Sequence, residues 1–198
     1  FYEKITFENF RLLNSPVWSA DGQYIAARKH FTTSRSLGTG EIWLYHASGL
    51  ADTPGVPIIK KPGPNYQKEL GEPAFSPDGK HLYYTQNATA GDMFIYHQDS
   101  NKQVFNIKAF NLINRETHVV AGGPGGAIRP TPSPDGKSLA YIKRVESISK
   151  LHIKALDSGI DTIVVNDLDP DMQETWAING VYPNIAWLPD ASGLIYWA

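Results

Sequence analysis

The stretch Pro73-Ala74-Phe75-Ser76-Pro77-Asp78-Gly79-Lys80-His81-Leu82-Tyr83-Tyr84 decides how this chain folds. Pro77 presets φ for the second place of a tight turn, Asp78 can bond its own backbone, and Gly79 suits the left-handed place that follows. The apolar, aromatic runs on either side read as strands, so the unit is strand, turn, strand. It is not unique. Close variants of the turn stand at 19–22 (Ser-Ala-Asp-Gly), 133–136 (Ser-Pro-Asp-Gly) and 188–191 (Leu-Pro-Asp-Ala). The four aspartates, Asp21, Asp78, Asp135 and Asp190, are spaced 57, 57 and 55 residues apart. Self-similarity at a fixed period marks a repeat architecture.

A second strand pair follows each turn. Glu41–Tyr45 leads to Val56–Ile59, Asn106–Leu112 to Thr117–Val120, and Leu151–Leu156 to Thr162–Val165. Ile107/Ala109 and Ile153/Ala155 alternate with the period of two that a half-buried strand requires. Four antiparallel strands in about fifty residues make one propeller blade. The fold expected is all-β: a β-propeller of four-stranded antiparallel blades. Repeats run over 16–72, 73–129 and 130–182, with 183–198 incomplete and one further strand around Lys4 to Leu13. That is about 3.5 blades, read as an incomplete fragment of a larger ring, because open sheet edges are avoided. Trp18, Phe75 and Trp187, at matched places before the turn, are expected to be largely buried between blades.

Bulk properties narrow the function classes. A net charge of −2 in 198 residues leaves no electrostatic footprint for nucleic acid. The chain has no cysteine, which removes a disulfide framework and fits either redox compartment. No apolar run reaches the roughly 18 residues of a membrane span.

The short motifs favour scaffold over chemistry. The six histidines form neither His-x-His nor His-Glu-x-x-His, and no Gly-x-Ser-x-Gly elbow occurs. Gly122–Gly126 lacks the Gly-Lys-Ser/Thr ending of a phosphate loop, so it reads as a flexible crossing between blades. Asp167, Asp169 and Asp171 alternate and could offer oxygen ligands to calcium, although the glycine and distal glutamate of an EF-hand are missing. Lys60, Lys61 and Lys68 read as a solvated basic loop. In an antiparallel blade the connections one-to-two and three-to-four share a face. They are short here, whereas 29–40, 61–72, 86–105, 122–129 and 166–182 are long. Long loops on a rigid scaffold carry binding. That face bears Arg28, His30, Arg35, Tyr66, Arg129, Gln173, Glu174 and Trp176, and 166–182 is its strongest candidate.

The Pro-x-Phe/Trp-Ser-Pro-Asp-Gly-Lys phrase resembles the repeats of TolB-like propellers. The segments Asn14–Ser19, Ala27–Phe31, Gly40–His46, Gly122–Pro130 and Asp171–Ile178 are similar to a bacterial amidohydrolase family with such a propeller ahead of a metal-dependent barrel. The resemblance implies a periplasmic or secreted parent with a divalent metal in a hydrolase domain outside this chain. It also implies that this chain holds no cofactor of its own and partners its own C-terminal hydrolase domain. It carries no catalytic residue over, because the family's His-x-His has no counterpart here. Two other classes fit the same repeats: a stand-alone TolB-like module that binds another protein, and the propeller of a prolyl-oligopeptidase-class peptidase.

Overall fold

The computed structural model describes residues 6, 12–32, 38–49, 55–68, 70–93, 95, 102, 104–145, 148–169 and 184–196. These residues form strands and no helix. The first sheet has β1 (Leu12–Trp18), β2 (Tyr24–Thr32), β3 (Gly38–His46) and β4 (Val56–Ile59). The second has β5 (Ala74–Phe75), β6 (His81–Asn87), β7 (Phe105–Asn111) and β8 (Thr117–Ala121). The third has β9 (Ile128–Pro132), β10 (Ser138–Val145), β11 (Ile148–Ala155) and β12 (Asp161–Asp169), and β13 (Ile185–Trp187) pairs with β14 (Leu194–Tyr196). Each sheet is antiparallel with its strands in chain order. The first strands touch in succession, β1 to β5, β5 to β9 and β9 to β13. That chain of inner-strand contacts is what blades around a common axis give. The chain is therefore an all-β propeller with three and a half blades among the described residues.

The repeated turn explains why the period is kept. Ser76 N donates to His81 O at 2.9 Å and Gly79 N to Ser76 O at 2.9 Å. The Asp78 carboxylate accepts from Ser76 Oγ (2.6 Å) and Lys80 N (3.0 Å), while His81 N donates to Ser76 Oγ (2.9 Å). Gly79 has φ +68°. The same set recurs around Asp21 and Asp135. The fourth turn reaches the same geometry by another route. Leu188 replaces the leading serine, and the hydroxyl comes from the far side, with Ser192 Oγ donating to Asp190 Oδ1 at 2.6 Å. Ala191 sits where the other turns have glycine, at φ 59°. A left-handed non-glycine residue costs about 1–2 kcal/mol. Ala191→Gly should raise stability by up to about 1 kcal/mol, and Gly79→Val should lower it by at least as much; denaturant midpoints of both variants check this.

Serine hydroxyl donation, first Ser19, Ser76, Ser133 and Ser192 respectively, holds the carboxyls of Asp21, Asp78, Asp135 and Asp190 below their usual value. A depressed carboxyl contributes stability that is present above the unfolded value of 3.8 and lost as pH falls through the folded value. His152 adds an earlier step. Burial, the larger cause, holds its imidazole below 6.5 against the opposing pull of Asp161. The unfolded chain takes up that proton first, so this contribution is full above 6.5 and declines below it. Stability should fall in two stages on acidification, and His152→Gln should remove the first; denaturation midpoints between pH 7 and pH 2 measure both.

Three apolar clusters fill the seams. Ala26, Ile42, Leu82, Tyr84 and Phe110 lock the first blade to the second. Tyr83, Ile107, Ala109, Leu139 and Tyr141 lock the second to the third. Phe105, Ile128, Ile142, Leu151 and Leu168 continue into Ile185, Trp187 and Leu194 of the last pair. Phe75 and Trp187 are half-buried, each against the blade that precedes it in sequence, and Trp187 Nε1 donates to Thr131 O at 2.8 Å. Trp18 departs from expectation: it is 61% exposed. Its register partner Ile25 lies on the face of the first blade away from the second, and no described strand lies beyond it. Leu12 and Leu13 belong to β1 rather than to a separate strand; residues 4, 5 and 7–11 lie outside the described residues.

Candidate functional site

The connections are less evenly sorted than the sequence suggests. Strands run into the expected loops, so 29–32 end β2, 38–40 begin β3, 128–129 begin β9 and Asp167 lies in β12. In the third blade β10 ends at Val145 and β11 begins at Ile148, so that connection is short. On the opposite face, β3 and β4 of the first blade are separated by 47–55, longer than a tight turn. The long connections with described structure are 60–73, 88–93 and 122–127.

These connections are tied down. Lys68 is buried at 1% exposure and donates to the carbonyls of Thr89 and Ala90. Burial lowers its pKa, with Asp92 opposing. Gln67 N donates to Asp92 O (2.9 Å) and Gly71 N to Thr85 O (2.8 Å). Lys68 is thus no part of a solvated basic loop, whereas Lys60 is exposed and Lys61 half-buried. Tyr66 is buried and accepts from Gln86 Nε2 at 3.4 Å. The Gly122–Gly126 segment is held rather than loose: Gly126 N donates to Gly123 O (2.9 Å), Ala127 N to Phe105 O (3.0 Å) and Arg144 N to Gly125 O (3.0 Å).

The structure assembles a rim that no single motif announces. Ser15, Glu72, Arg129 and Asn184 each stand six residues before a turn aspartate. Arg129 Nη1 donates to Asn184 Oδ1 at 3.0 Å and lies 3.7 Å from Glu72 Oε2. Three successive blades therefore present the same repeat position to one another. The local cause is proline. Pro16, Pro73 and Pro130 follow three of these residues and cannot donate to the ladder, which confines them to strand edges and bulges. The register slips between Asn14 and Val17 in β1, and opposite Ala140–Ile142 in β9. Ser15 (φ 50°) and Arg129 (φ 55°) occupy left-handed backbone there. Such bulges re-aim side chains and cluster near functional sites.

Polar groups behind this rim are incompletely matched within the protein. Gln67 Oε1, Thr85 Oγ1, Asn87 Nδ2, Asn106 Oδ1, Arg129 Nε and Ser149 Oγ are buried without a hydrogen-bond partner. All belong to the interblade links or to the strand halves beside them. Around the Ser-Pro-Asp-Gly turns the serine hydroxyls and aspartates are paired. Buried polar atoms normally find partners, and these lie on the half of the ring that carries the interblade links.

Of the residues singled out from sequence, Arg129 sits at the rim. Arg28 is 3% exposed and donates Nη1 to Leu70 O at 2.8 Å, so it pins an interblade link. His30 is half-buried on β2. Arg35, Gln173, Glu174, Trp176 and Asp171 lie outside the described residues. Asp167 is exposed on β12, and the Asp169 side chain lies outside the description. Glu72 and Asn184 were missed; aligning the repeats on the aspartate and reading six places upstream would have found them.

No protein-family profile and no curated protein matches the sequence. Solved structures do. The chain is similar to a puromycin-hydrolyzing peptidase of Mycobacterium tuberculosis (16% identity, TM-score 0.63, covering 91% of this chain and 27% of that one). It is similar to the tricorn protease (12%, 0.65, 97% and 20%). It is also similar to TolB of Agrobacterium tumefaciens (12%, 0.54, 96% and 82%). The chain spans about a quarter or less of the length of these two peptidases. At such identities the likeness establishes the fold: this chain is a TolB-like β-propeller.

Proposed function

We propose that this chain is the non-catalytic propeller scaffold of a periplasmic or secreted, amidohydrolase-related protein. Its long-connection face docks on a metal-dependent hydrolase domain and shapes access to it. The Glu72–Arg129–Asn184 rim carries the reading. The Ser15 and Arg129 bulges turn this repeat position into the rim, where Arg129 links the blades on either side of it. The similarity to peptidases of which this chain matches a minor share supports a role as one part of a larger enzyme. The similarity to TolB, matched over most of its length, favours the second reading, a stand-alone protein-binding propeller; the same face would then meet another protein.

Arg129→Ala and Trp176→Ala separate face from scaffold. A charged hydrogen bond from Arg129 to the docked domain is worth about 1.5–3 kcal/mol, or about tenfold or more in affinity. In the full-length protein each variant should raise the Michaelis constant, or weaken the interdomain contact, by about that factor. Asp135→Ala, in a turn on the other face, should leave both unchanged while lowering stability. The 198-residue chain alone should turn over no amide or ester with added zinc. Metal-dependent turnover by this chain, or Arg129→Ala behaving like Asp135→Ala, would refute the reading. A His-x-His strand beyond Ala198 supports the hydrolase partner, and a Gly-x-Ser-x-Gly elbow there would transfer the scaffold to the peptidase class.

A further inference from the structure

A cleft of about 500 Å³ opens between the second and third blades, on the outer side of the ring near the tight turns. It is distinct from the Arg129 rim. Tyr83, Ala109, Val120 and Leu156 give it an apolar wall. Its polar lining is mostly basic. Lys154 reaches from β11 and donates Nζ to Val120 O at 2.7 Å, which anchors the ammonium and leaves two of its three protons for another acceptor. His81 and His118 face each other edge to face across the second blade, with ring centroids 6.4 Å apart. Their register partners explain the meeting: His81 pairs with Asn111 and His118 with Ala109, on neighbouring strand pairs of one sheet face. The one acidic residue of the lining, Asp157, accepts from Ser158 N at 2.6 Å in its own turn.

We propose that this cleft binds a small organic anion, an apolar body carrying one carboxylate or phosphate group. The volume falls within the range of ligand sites, and an apolar wall with a few convergent polar groups is their usual make-up. The acidic groups of the surrounding turns are already engaged: Asp78 with Ser76 and Lys80 N, and Glu116 with Asn114 Nδ2 at 2.8 Å. An entering anion meets Lys154 and two imidazoles in the lining, against the single lining carboxylate of Asp157. Charge-assisted hydrogen bonds from such donors are the strong ones, and the aromatic and aliphatic wall gives the ligand's body somewhere to leave water.

The test uses three probes of one shape: phenylacetate, phenyl phosphate and uncharged phenylacetamide. Binding to the chain is followed by amide chemical shifts and calorimetry at low salt. Phenylacetate or phenyl phosphate should bind at least about tenfold tighter than the amide, the worth of one charged hydrogen bond. The shifted resonances should belong to His81, His118, Lys154 and Gly159. Preference for one anion identifies the head group. His118→Gln, at an exposed position, and Lys154→Met should each weaken the anion about tenfold and leave the amide unchanged. If Lys154→Met fails to fold, His118→Gln decides. Equal binding of acid and amide, shifts elsewhere on the ring, an unaffected His118→Gln variant, or no binding of any probe would overturn the proposal.

Discussion

Replacing Phe105 by alanine is expected to lower the folding free energy by about 3–5 kcal/mol, the range for an aromatic side chain removed from a closed core. Phe105 opens β7 and is 0% exposed. It belongs to the second blade, yet its cluster is built largely from the third: Ile128, Ala140, Ile142, Leu151 and Leu168. Its carbonyl accepts from Ala127 N, the last residue of the link between those blades. Truncation therefore empties a seam between two sheets rather than a pocket within one. Ile113, 75% exposed in a turn, is the control, and Ile113→Ala should stay within about 0.5 kcal/mol. A denaturant titration in which the two variants coincide would show that the seam does not hold the blades together.

Gly126→Val attacks the same seam from the backbone side. Gly126 has φ +63°, and a Cβ there would lie 3.2 Å from Phe105 N and 3.3 Å from Phe105 O. A β-branched residue would suffer strain of about 1–3 kcal/mol from the left-handed backbone. Crowding against main-chain atoms that cannot swing aside adds about 1–3 kcal/mol. Gly123→Val, also at positive φ but with nothing within 4 Å of the added carbon, should suffer the first cost alone. Equal losses in the two variants would mean that the close approach to Phe105 is relieved cheaply.

The fold was legible because its decisive element is local. Ser-Pro-Asp-Gly specifies a turn through bonds that span five residues, and the period does the rest. Trp18 was misjudged because burial of a repeat position depends on the neighbouring blade, which a repeat alignment assumes for every copy. Lys68 was misjudged for the opposite reason: composition marks a lysine-containing loop as solvated, and only the meeting of 60–73 with 88–93 encloses the ammonium. Arg129 was singled out from sequence, but its partners Glu72 and Asn184 stand about one period away on either side. Contacts at that separation leave no trace in spacing until the repeats are stacked. Arg28 illustrates the limit of reading a face from residue type, since its guanidinium is spent on Leu70 O.

On the proposed reading one face of this ring binds and the other only builds. Hydrogen exchange of the backbone amides, measured on the full-length protein and on the 198-residue chain alone, tests it most directly. Removing the rest of the polypeptide, or the partner protein, should speed exchange in 61–72, 122–129 and 166–182. The four turns around Asp21, Asp78, Asp135 and Asp190 should exchange at unchanged rates. Faster exchange at those turns, with the long connections unaffected, would place the interface on the opposite face.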